Sequence, residues 1–215
     1  NPVNVENIRT SDSMQRFRRV EELLDSTGKV NPVNAAAILR DKKGLGGEPL
    51  GYCNELAINQ LLAMHSVIFS PAERKIWVST SPWQCGRFVC YDLDEVFASE
   101  SASVDSVVVP MEISSEAIPE DAFVYSSDFA DVLKFKRLLP VMQKAARSGR
   151  HVPEDSLRHF VSLDSLYFNA YNVAGDCYLS SGRPAQAAAS YRHALTLPMK
   201  SSEYQHIETK LLGIK

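Results

Sequence analysis

Cysteine is scarce in this chain: Cys53, Cys85, Cys90 and Cys177 are the four in 215 residues. They are too few for a disulfide scaffold, and no two form a C-x-x-C pair of the zinc or redox kind. They read as structural thiols, although the Cys85/Cys90 spacing also suits a bridge between a strand and its lead-in. Cys85 is the one expected in a turn open to solvent. Charge of one sign is missing too. With 23 basic and 26 acidic residues and a net charge of −3, no broad basic field exists for nucleic acid or an anionic membrane. No apolar run approaches the length of a bilayer span, and neither an initiator Met nor a charged-then-apolar leader opens the chain. The expectation is a soluble, processed or trimmed piece of a longer product, from the cytoplasm or a bacterial periplasm.

Other absences narrow the chemistry. His151, His159, His193 and His206 lack the i,i+4 His or carboxylate spacing that suits a metal, so neither metal nor cofactor is expected. Gly44-Leu45-Gly46-Gly47 is followed by no Lys-Ser/Thr and preceded by no strand, which makes it a flexible loop and not a phosphate cradle. No G-x-S-x-G elbow supports Ser66 or Ser79 as a hydrolase nucleophile.

An apolar content of 45% is ordinary for a packed core. Met14, Phe17, Val20 and Leu24 recur at helical spacing opposite Arg18, Arg19, Glu22 and Asp25, with Ser11, Asp12 or Ser13 as cap and Thr27-Gly28 as stop. Asn31 followed by Pro32 opens a second, short helix through Leu39. Ser66-Val67-Ile68-Phe69 and Ile76-Trp77-Val78-Ser79-Thr80 flank a polar, Pro-containing turn and predict an antiparallel hairpin. A third strand, 87–91, ends at a helix start near Asp92. Their continuous apolarity predicts a sheet covered on both faces.

A Ser/Ala/acid-rich stretch at 98–106 marks a boundary between residues 1–105 and 106–215, and Val107-Val108-Val109-Pro110 is ambiguous. Beyond Pro119 the chain reads as helical, with one helix interrupted or kinked near Pro140 and closed at Ser148-Gly149-Arg150, and another opening at Pro153. Within about 168–200, Tyr171, Ala174, Gly175, Tyr178, Gly182, Ala187, Tyr191 and Ala194 match a tetratricopeptide template, with Pro198 one place from its terminal proline. One such repeat cannot bury its own faces, so it must lean on the preceding helices and on a final helix over 202–212.

Three residues are candidates for a site. Arg16, with Ser13 one turn before it, carries a planar fork suited to a carboxylate or acyl oxygen, although such a cluster also reads as a solvated basic helix face. His65 stands beside Ser66, but adjacent strand residues point to opposite faces and cannot act as base and nucleophile. The apolar setting of His65 gives it a structural role.

The order of these pieces resembles the acyl-coenzyme A:6-aminopenicillanate acyltransferases and the choloylglycine hydrolases, which are N-terminal-nucleophile (Ntn) hydrolases. The carrying residues are Ser13-Met14-Gln15-Arg16-Phe17, similar to a Ser-x-x-Arg-Phe element; 35–41, a short helix ending in Leu-Arg-Asp; and 56–60 with the hairpin His65-Ser66-Val67-Ile68-Phe69-Ser70-Pro71 and Ile76-Trp77-Val78-Ser79-Thr80-Ser81-Pro82. The resemblance implies an α+β fold: the C-terminal part of an αββα sandwich in residues 1–105, followed by an all-helical tail with one tetratricopeptide-like hairpin. It also implies a cysteine exposed by self-cleavage as nucleophile, a small N-acyl or acyl-thioester substrate, Arg16 as the positioning arginine, and Ser13 and His65 close to the substrate. Asn1 cannot be that nucleophile and no cysteine lies near it, so the nucleophile is expected on an upstream chain of the same precursor, with the helical tail serving for docking or oligomerisation. The competing reading is a non-enzymatic tetratricopeptide adaptor that binds a protein partner.

Overall fold

A computed structural model describes residues 5, 12–98 and 111–214. The proposed boundary at 98–106 and the segment 107–110 fall almost wholly outside these residues. The architecture is α+β: among the described residues, eight α-helices accompany one three-stranded antiparallel sheet.

Helix α1 (Ser13–Thr27) starts after Asp12, which makes no side-chain cap bond, and ends at Gly28, whose positive φ of 70° suits a residue without Cβ. Its expected apolar stripe is not what it buries. Phe17 and Leu24 are exposed, whereas Arg19 is buried. The reason is a specific partner: Arg19 meets Asp41 and Glu22, and an ion pair with several hydrogen bonds overrides the pull of periodicity. Helix α2 (Pro32–Leu39) follows its caps. Asn31 and Asn34 each accept the other's backbone N–H, at 3.0 and 2.6 Å, and Pro32 occupies the first turn, where its missing N–H is not needed.

The hairpin forms as expected. Strands β1 (Val67–Ser70), β2 (Lys75–Ser79) and β3 (Phe88–Asp92) pair in that order, with Ile68 opposite Trp77 and Trp77 opposite Cys90. That register places Ile68, Trp77, Phe88 and Cys90 on one face, where they pack against Ala36 and Leu39 of α2 and against Ile113 and Ile118. The buried Trp77 indole donates to the Glu116 carbonyl at 2.9 Å. The opposite face carries Val67, Phe69, Ile76, Val78, Val89 and Tyr91. None of these six belongs to a packed core cluster, Val89 alone is buried, and Phe69 is 66% exposed. Among the described residues, a packed core cluster therefore covers one face of the expected two. At the far edge of β3, Phe88 and Tyr91 bridge to Ile118 and Glu112; the outer edge of β1 has no partner strand among the described residues.

After α3 (Leu93–Ala98), the helical half begins with α4 (Ser127–Ser148). Ser126 caps it by accepting the Phe129 N–H at 3.1 Å, Gly149 ends it in the left-handed region, and the helix runs on through Pro140 without a break. Helices α5 (Glu154–Ser162), α6 (Phe168–Ser180), α7 (Pro184–Ala194) and α8 (Ser201–Leu212) enclose the main core. The α6–α7 hairpin closes because Gly175 lets the Tyr191 ring lie against the α6 backbone; a Cβ there would stand 2.4 Å from Cε1. The Tyr191 hydroxyl donates to Asp176 at 2.6 Å, and Lys210 of α8 binds the same carboxylate at 2.8 Å. Residues 51–54 are sewn into this core: a Cβ on Gly51 would meet the Tyr167 backbone, Tyr52 N–H donates to Asp164, and the Asn54 amide donates to the Pro198 carbonyl at 2.9 Å.

Candidate functional site

Buried polar groups converge at the base of the hairpin. Ser66 Oγ accepts from the Gln84 amide at 2.6 Å, Ser66 N–H donates to Ser79 Oγ at 2.7 Å, and Asn59 donates to Cys85 Sγ at 3.3 Å while accepting from Leu61 N–H at 3.0 Å. Ser66, Ser79, Gln84 and Asn59 are all buried, so each bond offsets a desolvation cost. With their hydroxyls held in this network, Ser66 and Ser79 are scaffold groups.

Two bulky residues beside the network hold left-handed backbone, Leu61 at φ 53° and Trp83 at φ 50°. Such conformations cost about 1 kcal/mol or more each and persist only where surroundings enforce them. Lys136 of α4 touches both, its ammonium donating to the Leu61 carbonyl and lying 4.2 Å from the Trp83 ring centroid, while Asn59 holds the Leu61 N–H. Burial lowers the Lys136 pKa. Gly86 completes the loop, since a Cβ there would stand 2.1 Å from the Thr80 carbonyl oxygen.

The Leu39-Arg40-Asp41 run ties this base to both neighbouring helices. Arg40 donates to the carbonyls of Gln84 (3.2 Å), Gly86 (2.8 Å) and Pro119 (2.8 Å), with its guanidinium carbon 5.1 Å from the Phe88 ring centroid. Asp41 receives both prongs of Arg19, and its carbonyl accepts the Asn59 N–H at 2.8 Å. Arg19 is the residue that sequence reasoning missed. A signal was present: its spacing from Glu22 is that of an i,i+3 pair, and Asp41 closes the motif singled out for its resemblance.

Arg16 and Ser13 do come together. The Arg16 guanidinium donates to the Glu55 carbonyl and lies 3.4 Å from Ser13 Oγ, which leaves N–H donors of the fork without a partner among the described residues. Burial raises the Glu55 carboxyl, whose charged neighbours are Lys200, Asp12 and Glu203. His65 stands elsewhere. It is exposed, lies outside β1, and makes no hydrogen bond to Arg16 or Ser13, so the expected apolar setting is absent.

The four thiols are free, and all are buried, Cys85 included. The turn that carries Cys85 folds inward onto Leu61 and Val132, which is why the expected exposure fails. Burial pushes Cys53 and Cys177 up to about 11 and raises Cys85 and Cys90 as well. A thiol that is both covered and protonated at neutral pH is a poor nucleophile. Among the described residues no three His, Cys, Asp or Glu side chains form a metal-binding group, and no helix is long and apolar enough to cross a membrane.

No protein-family model, curated protein or solved structure matches this chain.

Proposed function

We propose that this chain is the C-terminal portion of an Ntn-type amide hydrolase or acyltransferase domain, followed by a helical tail containing one tetratricopeptide-like hairpin. The observation that carries the reading is the second face of the sheet. Six apolar side chains, Val67, Phe69, Ile76, Val78, Val89 and Tyr91, line a face that among the described residues lies outside the packed core, next to a β1 edge without a partner strand among them. A sheet apolar on both faces needs a layer on each, and a second sheet is what an αββα sandwich supplies. The nucleophile in this reading is a cysteine outside these 215 residues, because none of the four thiols here is accessible.

The chemistry follows. The cysteine thiol passes its proton to its own α-amino group as the sulfur attacks the acyl carbonyl of an N-acyl or thioester substrate. Collapse breaks the C–N or C–S bond, the leaving amine or thiol takes up that proton, and water or an acyl acceptor then attacks the acyl-enzyme thioester and returns the free thiol. Arg16 holds the substrate carboxylate or the nucleophile's segment with the N–H donors that no described residue engages, while Ser13 orients the guanidinium. The upstream chain of the same precursor covers the open face, and the tail, with Val141 and Leu212 exposed, docks or oligomerises.

Intact-mass and N-terminal sequencing of the native gene product test this. A companion chain that begins with Cys, and amide hydrolysis lost on Arg16→Ala, support it. A native product without an N-terminal cysteine anywhere sinks it. A groove of about 640 Å³ between α5, α6 and α7, lined by Leu157, Tyr171, Tyr178 and Ala189, then favours the second reading, a tetratricopeptide-type module that binds a protein partner.

A further inference from the structure

A cavity of about 450 Å³ lies where residues 42–52 meet α4 and the turn after α5. This is toward the lower end of the roughly 300–1,000 Å³ of small-molecule sites. Asp164 lines it and is only 5% exposed. Its carboxylate accepts the backbone N–H of Tyr52 at 3.0 Å and that of Cys53, yet no Lys or Arg pairs with it among the described residues. The two lysines of the cavity do not fill that role. Lys42 binds Asp121 at 2.8 Å and lies 4.5 Å from the Phe123 ring centroid, and Lys43 is an exposed rim residue. A buried carboxylate without a counter-charge is unfavourable. Burial accordingly pushes Asp164 up to about 7, against the pull of the two N–H groups. Among the described residues, Asp164 has no cation of its own.

The walls specify what should carry it. Tyr52 and Phe123 stand with ring centroids 5.1 Å apart, and Leu50 and Leu166 add aliphatic surface. At the rim the Tyr52 hydroxyl donates to Asp128 at 2.6 Å, which leaves that carboxylate with further acceptor capacity. We propose that this cavity binds a primary ammonium on an apolar, amino-acid-sized body, the ammonium against Asp164 and Asp128 and the body against Tyr52, Phe123 and Leu166. The inference is independent of the acyl-transfer reading, and either can fail without the other.

Binding a cation requires Asp164 ionised, so affinity rises with pH up to about 7 and levels off above it. The groups that face or surround Asp164 are Tyr52, Cys53 and Tyr167, which burial holds protonated well above that range, together with Lys42, Lys43, Asp128 and Asp131, the last paired to Lys134.

The test titrates 2-phenylethylammonium into the 215-residue chain by calorimetry between about pH 5.5 and 8, with 2-phenylethanol as its neutral twin. The expected result is saturable binding of the ammonium, about tenfold stronger than the alcohol, weakening toward tenfold per unit below pH 7. Asp164→Asn should abolish the preference and the pH dependence. Because that change also alters the acceptor of two backbone N–H groups, Ser165→Trp at the exposed mouth supplies a second arm, with binding lost and the unfolding curve unchanged. Equal affinity for amine and alcohol, pH-independent binding, no saturation, or indifference to Ser165→Trp in a folded protein overturns the proposal.

Discussion

Arg19 grips both carboxylate oxygens of Asp41, with Nε 2.9 Å from Oδ2 and Nη2 3.2 Å from Oδ1, while its third nitrogen meets Glu22 at 3.0 Å. This fork fastens α1 to the end of α2, and through Asp41 and Arg40 to the base of the hairpin. Removing Arg19 leaves a largely buried carboxylate unpaired, which costs about 3 kcal/mol. Arg19→Met should therefore destabilise the chain strongly in urea, and Arg19→Lys, which keeps the charge but loses the fork, by about half as much. Equal stability of Arg19→Lys and the parent would refute the bidentate role.

Gly175 is irreplaceable for a steric reason. Its substitution by Ala puts a carbon 2.4 Å from the Tyr191 ring, and the two helices must separate. The expected loss is about 1–3 kcal/mol. In a double-mutant cycle the Gly175→Ala penalty should shrink when Tyr191 is also replaced by Leu; full additivity would mean the ring is not what the methyl meets.

Asp164 makes stability depend on pH with an unusual sign. Its folded pKa, about 7, lies above the ordinary carboxylate value, so the folded state binds the extra proton. The stability linked to it is fully present below about pH 4 and is lost as pH rises through 7. The integrated effect is a few kcal/mol. Chemical denaturation across that window, for the parent and Asp164→Asn, should give a parent curve that falls more steeply with pH; parallel curves would remove Asp164 as the cause.

The open sheet face should matter for assembly and little for the fold. Phe69→Lys places a charge on a side chain already 66% exposed, so the isolated chain should change by no more than about 0.5 kcal/mol. Binding of an apolar dye should fall, and association with a companion chain bearing the missing sheet should weaken at least tenfold. An unchanged association would leave this face without a role in assembly.

The thiols offer a quick check of packing. In native buffer all four should resist a thiol reagent that labels them at once in denaturant, because each is buried and protonated. Rapid native labelling of Cys85 would restore the exposed turn.

The local elements were legible from short-range chemistry. Asn31-Pro32 marks a helix start because its side chain and fixed φ satisfy the first turn, and runs of β-branched and aromatic residues around Ser70-Pro71 mark a hairpin. The tyrosine and glycine spacing at 171–191 likewise placed two helices that pack closely. Each of these depends on residues within a few turns of one another, so a linear reading captures them. Tertiary structure alone decided which groups the core accepts. Phe17 and Leu24 lost burial to Arg19 because Asp41, 22 residues away, supplies a matched charge. Cys85 turned inward because Asn59 and Val132 lie behind it, and His65 turned outward because the strand begins two residues later. The carboxylate of Asp164 gained its raised pKa from burial, in a pocket closed by Tyr52 and Cys53, more than a hundred positions earlier. Burial and pairing are properties of neighbours in space, and those neighbours exist only once the chain has closed on itself.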